Sequence, residues 1–448
     1  MKDKRRLFLW VAVCALCGGG CRTIDARLEK ADSPQTLAQA VADYYVHDAE
    51  DESCAVAIVS PTGTVFAQAG AATEHSLFRI ASLSKFFLHP VLLKLHAQGR
   101  LNLDQPVTSC SKLDLPPEYG RITLRDLLLN RSGLPREFIV RWEPLDTWTA
   151  FSCGFFGTDI YAAFETRDDF ARMAWRPWWR YAVRARREIY SNMGFGLLGT
   201  AVEDALGQSL EEILRTELTV PQTLADTTYE PCGDQTNRLT RACAGHLPWL
   251  TRRGHDVPDH RLGGALRATG GLFSSAADCA TLFSSYWPVV DEQLRERDIN
   301  AYADEAVFGL LRVKVLSDGS RVLYRAGMIY GGASFVGFDL QTRTVVVILR
   351  NVTSWPDRRG FAVLEALRAM PDVYARETDA FLAARDGRVQ AAQIATCCAT
   401  RGCASRGGSK GSAILCARRC CPAARTSSSP SRASPPPSRA PSPSRTMR

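Results

Sequence analysis

Apolar residues recur along the chain with two different periods. Near the start, the stretch from Cys54 to Gly70 (CAVAIVSPTGTVFAQAG) has two runs of aliphatic and β-branched residues around the turn Pro61-Thr62-Gly63, which is the pattern of a β-hairpin. Much later, Ser320 to Asn351 holds three more such runs, with Asp339 to Arg343 as the last turn. The pattern therefore predicts five strands, contributed by two distant parts of the chain.

Helical spacing of apolar residues fills the chain between these strands, for example around residues 127–129 and 197–206, and residues 358–370 form a closing helix. Because strands from both ends must share one sheet, the pattern predicts a discontinuous α/β domain. We expect this domain to span residues 35–375 and to carry a mostly helical insertion at about residues 105–300.

The first 21 residues have the pattern of an export signal. Four basic residues lie within the first six positions, and the apolar run Leu7 to Leu16 is too short to span a bilayer as a permanent helix. Three glycines then precede Cys21, an arrangement that resembles the lipobox of bacterial lipoproteins, in which the cysteine is acylated. Lipidation at Cys21 and ordinary cleavage are the two alternatives, and both predict a protein exported to the cell envelope or periplasm.

The opposite end differs from the body in composition. Residues 391–448 are rich in Ala, Arg, Ser, Pro and Cys, so we expect a disordered low-complexity tail. The tail carries nine Arg and one Lys without an acidic residue, so the net charge of +8 leaves −2 for the rest of the chain. A near-neutral body gives no electrostatic reason to expect a nucleic-acid partner.

The 15 cysteines are spread over the signal, the body and the tail. Three lie in the signal and six in the tail, and the six of the body are Cys54, Cys110, Cys153, Cys232, Cys243 and Cys279. In an exported protein they are either disulfide-bonded or buried thiols, and their spacing does not give a connectivity. No paired CxxC elements with His at zinc spacing occur, so we predict no metal and no cofactor.

Candidate chemistry begins with Ser82 and Lys85 in RIASLSKFFLHP. Residues three apart on a helix share one face, so the lysine amine can reach the serine hydroxyl. A lone SxxK is weak evidence, because Ser is a common helix cap and Lys a common surface residue. Further on, Tyr190 and Asn192 (YSN) supply a phenol that can act as a base near a cation and an amide that can hold the lysine.

A third element, Arg325-Ala326-Gly327, follows on the first of the late strands. With SxxK, YxN and a basic residue before glycine in this order, the chain resembles the penicillin-recognising serine hydrolases: class C beta-lactamases, DD-peptidases and their esterase relatives. The stretches HAQGRLNLDQPV, ITLRDLLLNRSGLP and GHDVPDHRLGGALRATGGLFSSAADCATLF resemble further family segments. The resemblance covers roughly residues 35–370 and implies a beta-lactamase-like fold whose antiparallel five-stranded sheet is flanked by helices.

The resemblance also implies roles for individual residues. Ser82 would be the nucleophile that forms an acyl-enzyme, and Lys85 would ease the removal of its proton. Tyr190 would take and return that proton, and Asn192 would position Lys85 and the substrate amide. The backbone N–H groups of Ser82 and Met328 would form the oxyanion hole. Without a side chain, Gly327 would let the substrate backbone lie close to the strand edge.

Three features depart from the family pattern. Arg325 stands where Lys or His is usual, and a guanidinium cannot shuttle a proton, although it can stabilise a Tyr190 phenolate or bind a carboxylate. Pro90 should kink the helix that follows Ser82. The segment before Tyr190, RPWWRYAVRARREIY, is rich in Arg and Trp. Its basic residues could flank the pocket and its aromatic residues could stack on a substrate ring or bind a membrane face; the alternative is a solvated basic loop over buried aromatic residues. The residues concerned, including the Trp just before the segment, are Trp175, Trp178, Trp179, Arg184, Arg186 and Arg187.

The expected function is hydrolysis of an amide or ester through an acyl-enzyme on Ser82, with a beta-lactam, a D-alanyl peptide derived from peptidoglycan or a small ester as substrate. The alternative is a catalytically weak penicillin-binding-like protein with a binding role at the cell envelope. His89, His255 and His260 lie near the motifs but lack the order and glycine elbow of a Ser/His/Asp triad, so we assign them no catalytic role.

Overall fold

The computed structural model describes residues 28, 30–46, 52–136, 166–185, 188–240, 262–353 and 356–370. All of them belong to the first of two units into which the chain divides, Met1–Thr378, while the second unit is Asp379–Arg448. Several sequence-based expectations lie outside the described residues: the export signal 1–21 with Cys21, the tail 391–448, and Cys153, Cys243, Arg186, Arg187, His255 and His260.

A seven-stranded antiparallel sheet, in the order β2-β1-β9-β8-β7-β6-β5, forms the centre of the domain. Its strands are β1 (Cys54–Ser60), β2 (Gly63–Ala69), β5 (Val307–Phe308), β6 (Leu311–Val315), β7 (Arg321–Ile329), β8 (Gly332–Asp339) and β9 (Thr344–Arg350). A separate pair, β3 (Phe78–Arg79) and β4 (Phe273–Ser274), joins the insertion to the segment that leads to Ser82.

The predicted α/β fold is confirmed, and the predicted strand count is wrong by two. The five predicted strands are β1, β2, β7, β8 and β9, including the hairpin that pairs Ser60 with Gly63 and the last turn that pairs Asp339 with Thr344. The additional strands are β5 and β6, which extend the sheet beyond β7. β6 alternates apolar and charged residues over only five positions, too short a signal to stand out beside the helical segments before it.

Both faces of the sheet are covered, because alternate residues of its strands point into two different cores. On one face, Val56, Ile58, Val346 and Ile348 pack with the first and last helices of the domain. On the other face, Ala55, Ala57, Val345 and Val347 pack with the helices of the insertion. This double coverage explains why all seven residues of β9 (TVVVILR) are buried.

Twelve α-helices lie in the described part of the chain. They are α1 (Pro34–Val46), α2 (Ser84–Ala97), α3 (Leu124–Leu128), α4 (Arg167–Ala174), α5 (Pro177–Ala185), α6 (Asn192–Leu206), α7 (Leu210–Leu214), α8 (Asp234–Asn237), α9 (Arg267–Gly270), α10 (Ala276–Ser284), α11 (Trp287–Glu296) and α12 (Asp357–Arg368). Short 3₁₀ turns include Ala81–Leu83 and Pro117–Arg121. No helix within these described ranges is long and apolar enough to cross a membrane.

Two local expectations are refined by the structure. Within the segment before Tyr190, residues 177–185 form helix α5 rather than a loop, and Trp179 is buried; Trp175, just after α4, is exposed. Helix α2 continues through Pro90 to Ala97. The four cysteines of the body that the structure describes, Cys54, Cys110, Cys232 and Cys279, are free thiols.

Candidate active site

The site is built around the 3₁₀ turn Ala81–Leu83, which carries Ser82 just ahead of α2. Ala81 adopts φ 49°, a left-handed conformation that is uncommon for a residue with a side chain. The turn is held from two sides: Ser84 Oγ donates to Ala81 O at 2.6 Å and accepts from Leu272 N at 3.1 Å. The strained backbone is thus fixed by its surroundings, which presents Ser82 in one orientation.

Strand β7 passes directly against this turn at Gly327. A Cβ atom at Gly327 would lie 2.8 Å from the Ser82 backbone N and 2.7 Å from Ser334 Oγ, well inside van der Waals contact. Ser334, opposite Gly327 on β8, donates to Ile80 O at 2.7 Å and ties the sheet to the same turn. Only glycine therefore allows the strand and the Ser82 backbone to approach this closely.

The edge of β7 beside the site is open in the described part of the chain. Strand β6 pairs with β7 only as far as Tyr324, so the following residues have no strand on that side. Ile329 and Gly332 flank a two-residue turn and form a hydrogen-bonded pair. Hydrogen-bonded and non-hydrogen-bonded pairs alternate along antiparallel strands, so Met328 and Ala333 form a non-hydrogen-bonded pair. The N–H and C=O of Met328 therefore face the open edge rather than β8.

Lys85 lies one turn after Ser82 and is almost completely buried, at 1% exposure. Its Nζ donates to Ser82 Oγ at 3.5 Å, to Asn192 Oδ1 at 2.9 Å and to the backbone carbonyl of Thr269. The amine also lies 5.0 Å from the centroid of the Tyr190 ring. Lys85 thus joins α2, α6 and α9 at one point, and it contacts both the predicted nucleophile and the predicted positioning amide.

Tyr190 and Asn192 enter the site at the start of α6. Ser191 caps this helix by accepting from Gly194 N at 2.7 Å, and its own hydroxyl donates to Pro135 O at 2.6 Å. The Ser191 backbone N–H also donates to Asn130 Oδ1 at 3.0 Å. The YSN segment is therefore clamped onto the NRSGLP segment that the sequence analysis had singled out.

The Arg325 guanidinium stacks on the ring of Tyr190, with Cζ 3.4 Å from the ring centroid. Burial raises the pKa of Tyr190, but the charges of Arg325 and Lys85 together lower it by more, so the pKa falls from 10.0 to about 8. Burial in turn lowers the pKa of Arg325, and the interaction with Tyr190 partly offsets this by raising it. The pair is a phenol prepared to ionise beside a fixed cation.

The Tyr190 hydroxyl is buried without a partner of good hydrogen-bond geometry among the described residues. It nevertheless lies close enough to Lys85 and Ser82 for both to favour its ionised form. A buried polar atom without a well-aligned partner is costly, and catalytic hydrogen bonds commonly tighten only when substrate is bound. Ser82 is partly exposed, whereas Lys85 and Tyr190 are buried, so the serine hydroxyl is the group of these three that substrate can reach.

All the residues predicted for the site and described by the structure therefore meet in one place, and Cys21 lies outside the described residues. His89 is buried away from this chemistry: its Nδ1 pairs with Tyr286 Oη at 2.9 Å, and burial lowers its pKa to about 4. Sequence reasoning missed two contributors. Both lie in segments already recognised as family-like, but Thr269 acts through its backbone carbonyl, which no residue type reveals, and the Asn130 contact with Ser191 depends on the fold.

A family model described as Beta-lactamase matches residues 38–369, most of the chain. Among curated proteins, the D-alanyl-D-alanine-carboxypeptidase/endopeptidase AmpH of Escherichia coli strain K12 is 27% identical over 223 residues, which make up 47% of this chain and 49% of that protein. The chain thus spans about half the length of the curated relatives it matches.

Solved structures share the fold over most of the chain. The D-amino acid amidase from Ochrobactrum anthropi SV3 superposes with a TM-score of 0.55 at 21% identity, covering 74% of this chain and 98% of that one. A beta-lactamase/D-alanine carboxypeptidase from Yersinia pestis gives a TM-score of 0.52 at 19% identity, covering 78% and 100%. At these identities the likeness shows a common architecture.

Proposed function

This chain belongs to the beta-lactamase family of serine hydrolases, and on that basis we propose that it cleaves an amide or ester through an acyl-enzyme formed on Ser82. The observation that carries the proposal is the position of the Lys85 amine, which contacts Ser82 Oγ and Asn192 Oδ1 at once beside the lowered-pKa phenol of Tyr190. A nucleophile, a proton acceptor and a positioning amide are thus within reach of one another.

In the first half of the reaction, Ser82 Oγ attacks the substrate carbonyl carbon while its proton passes to the Tyr190 phenolate. The electron pair of the carbonyl moves onto oxygen, where the N–H groups of Ser82 and Met328 stabilise the negative charge. One such donor typically contributes about 10²-fold or more in rate. When the tetrahedral intermediate collapses, Tyr190 returns the proton to the departing amine or alcohol, and the acyl group stays on Ser82.

In the second half, a water molecule attacks the acyl carbonyl and gives its proton to Tyr190. The bond to Ser82 Oγ then breaks, and the serine recovers the proton. Lys85 and Arg325 remain charged throughout, and they keep Tyr190 near the protonation state that each step needs. Arg325 therefore acts as a fixed charge in this scheme, which removes the need for the titratable residue usual at its position.

A substrate that carries a carboxylate, such as a D-alanyl peptide or a beta-lactam, fits this site better than a neutral ester. Three cationic side chains act on this site: Arg325 and Lys85 act on Tyr190, and Arg136 acts on Arg325 after the larger, opposite effect of Tyr190. A concentration of positive charge at an open strand edge attracts an anionic ligand. The name of the AmpH relative, a D-alanyl-D-alanine-carboxypeptidase/endopeptidase, supports the D-alanyl peptide as the first substrate to try.

A penicillin-binding-like protein with little turnover is the second candidate, favoured by Arg325 in a position where Lys or His is usual. In that case Ser82 would be acylated but the adduct would persist. Export to the envelope, with a lipid anchor at Cys21, completes the proposal and rests on the sequence of residues 1–21.

A substrate panel tests the proposal: nitrocefin, an acyl-D-Ala-D-Ala peptide and a nitrophenyl ester, each with the wild type and Ser82→Ala. We expect Ser82-dependent turnover, fastest on a substrate with a carboxylate. Turnover that is equal in the two proteins on every substrate would overturn the enzymatic proposal. A burst of one equivalent without turnover would favour the binding protein.

A further inference from the structure

Exposed large apolar side chains are concentrated in one segment, α4, α5 and the residues that follow. Four such side chains stand out on the described surface, and three of them lie between residues 175 and 189: Trp175 (41% exposed), Tyr181 (62%) and Ile189 (37%). The fourth, Val220 (63%), lies elsewhere. Scattered apolar residues on a surface need no explanation, but a cluster marks an interaction site.

The same segment is unusually basic for a body with a formal charge near zero. Residues 170–187 contain six Arg and no Asp or Glu. Arg180 and Arg184 share the single carboxylate of Glu118, Arg172 pairs with Asp169, and the Trp175 indole N–H donates to Asp114 Oδ2 at 3.1 Å, so three carboxylates offset these three Arg. Exposed Arg176 is a fourth Arg, and it leaves a net positive charge among these groups.

Helix α5 is oriented so that these residues face outward. Trp179 and Val183 are buried on its inner side, where Trp179 contacts Phe170 edge to face. Tyr181 and Arg184 lie on the opposite side of the helix, three residues apart, and the Arg180 guanidinium lies 5.7 Å from the centroid of the Trp175 ring. Aromatic and basic groups are therefore interleaved along one edge; we call Arg172, Trp175, Arg176, Tyr181 and Arg184 the basic aromatic patch.

We propose that the basic aromatic patch docks the protein onto an anionic lipid surface. Trp and Tyr place an apolar ring and a polar edge at the level of lipid headgroups, and Arg side chains of a single sign of charge complement their phosphates. Helix α5 lies on the body with its inner side already packed, so it would rest along the surface. This inference does not depend on the chemistry of Ser82.

Cosedimentation with vesicles tests the proposal on the full chain carrying Cys21→Ser, which excludes a lipid anchor. Phosphatidylglycerol vesicles are compared with phosphatidylcholine vesicles at a salt concentration where half of the reference protein binds the anionic ones. The charge variant is Arg172→Gln/Arg176→Gln, and the aromatic variant is Trp175→Ala/Tyr181→Ala. Each Arg near an anionic surface contributes about fivefold in affinity, so the charge variant should bind roughly 25-fold more weakly.

Matched controls come from the same chain. Arg215→Gln/Arg295→Gln removes two exposed Arg elsewhere, and Arg215 has the same i,i+3 ion pair, with Glu212, that Arg172 has with Asp169. Val220→Ala removes the exposed apolar residue outside the patch. All variants keep the N-terminal segment and the basic tail, whose contributions cancel in each ratio. The melting temperature confirms that the variants are folded.

Loss of anionic-vesicle binding in both patch variants, with the controls within about twofold of the reference protein, supports the proposal. Equal losses in the patch and control variants would mean that net charge alone drives binding. Unchanged binding of the patch variants, or equal binding to both kinds of vesicle, would show that the patch serves another partner. Equal losses in patch and control variants, unchanged binding of the patch variants, and equal binding to both kinds of vesicle would each overturn the proposal.

Discussion

At the scale of single residues, the Arg325 guanidinium decides how readily Tyr190 ionises. It stacks on the phenol ring and, with Lys85, lowers the pKa of Tyr190 to about 8 against the opposing effect of burial. The usual Lys or His at this position would supply a charge that titrates, whereas Arg supplies one that does not. In the proposed mechanism, Arg325 therefore keeps the electrostatic role of this position without a proton shuttle.

Removing this charge should change the pH profile of the enzyme. Because the phenolate is the basic form, kcat/KM should rise with pH and level off above about 8 in the wild type. In Arg325→Met the rising limb should move towards 10 by about one unit or more, with a loss of roughly tenfold at pH 7. Arg325→Lys keeps a cation and should fall between them. An unchanged rising limb in Arg325→Met would rule out this role.

Gly327 gives a second test at the residue scale. A methyl group there would overlap the Ser82 backbone N and Ser334 Oγ, so Gly327→Ala should push the strand away from the turn. We expect kcat/KM to fall about 10²-fold, with a loss of about 1–3 kcal/mol in the free energy of unfolding. The matched control is Gly63→Ala on β2, where an added Cβ meets nothing within 4 Å. Similar kinetics in the two variants would refute the close approach.

At the scale of elements, the site depends on how tightly α6 packs against α9. A Cβ at Gly199 of α6 would lie 2.6 Å from Ala268 Cβ and 3.0 Å from Leu210 Cδ1. Ala268 precedes Thr269, whose carbonyl binds the Lys85 amine. The packing of two helices thus sets the position of the lysine.

The variant Gly199→Ala tests whether tight packing or helix propensity has the larger effect on stability at this position. Propensity alone predicts a gain of about 1 kcal/mol in the free energy of unfolding, while overpacking costs about 1–3 kcal/mol. We expect the overlap to dominate, with a lower melting temperature and reduced activity as Thr269 shifts. A variant that melts higher than the wild type and keeps full activity would show that the helices are not in tight contact.

The elements also show what the sequence can and cannot reveal. The predicted strands have strong local signals, the alternation and turns of Cys54–Gly70 and Ser320–Asn351, and they were found. The short strands β5 and β6 have weak signals, and the pattern does not predict them. The residue types of the site were recognisable through motif order, but the left-handed Ala81, the Thr269 carbonyl and the stacking of Arg325 on Tyr190 depend on tertiary contacts between distant segments, which no local pattern encodes.

At the scale of the whole molecule, the first and last helices of the domain pack together on one face of the sheet. Helices α1 and α12 cover the same face of the sheet, and Gly360 of α12 packs so tightly on Phe335 that a Cβ there would lie 2.3 Å from the ring. Tyr45 of α1 donates to Pro356 O at 3.1 Å, just before α12 begins. The sheet that carries Arg325 and Gly327 is therefore covered on one face by contacts between the first and last helices of the domain.

Truncation should distinguish this domain from the tail. A chain that ends at Thr378, the end of the first unit, should keep its melting temperature and Ser82-dependent activity. A chain that ends at Pro356 loses α12 and uncovers one face of the sheet, so it should not fold stably. If the chain that ends at Thr378 does not fold, residues beyond 378 belong to the domain.

The proposed mechanism requires that Ser82 carry an acyl group during the reaction. The most direct measurement is rapid acid quenching of the full chain with a penicillin or an acyl-D-Ala-D-Ala peptide, followed by intact mass spectrometry and mapping of the modified peptide. The proposed mechanism predicts one adduct, located on Ser82, that appears more slowly in Lys85→Met and is absent from Ser82→Ala. Turnover by the folded wild type with no adduct on Ser82, or the same adduct in Ser82→Ala, would contradict it.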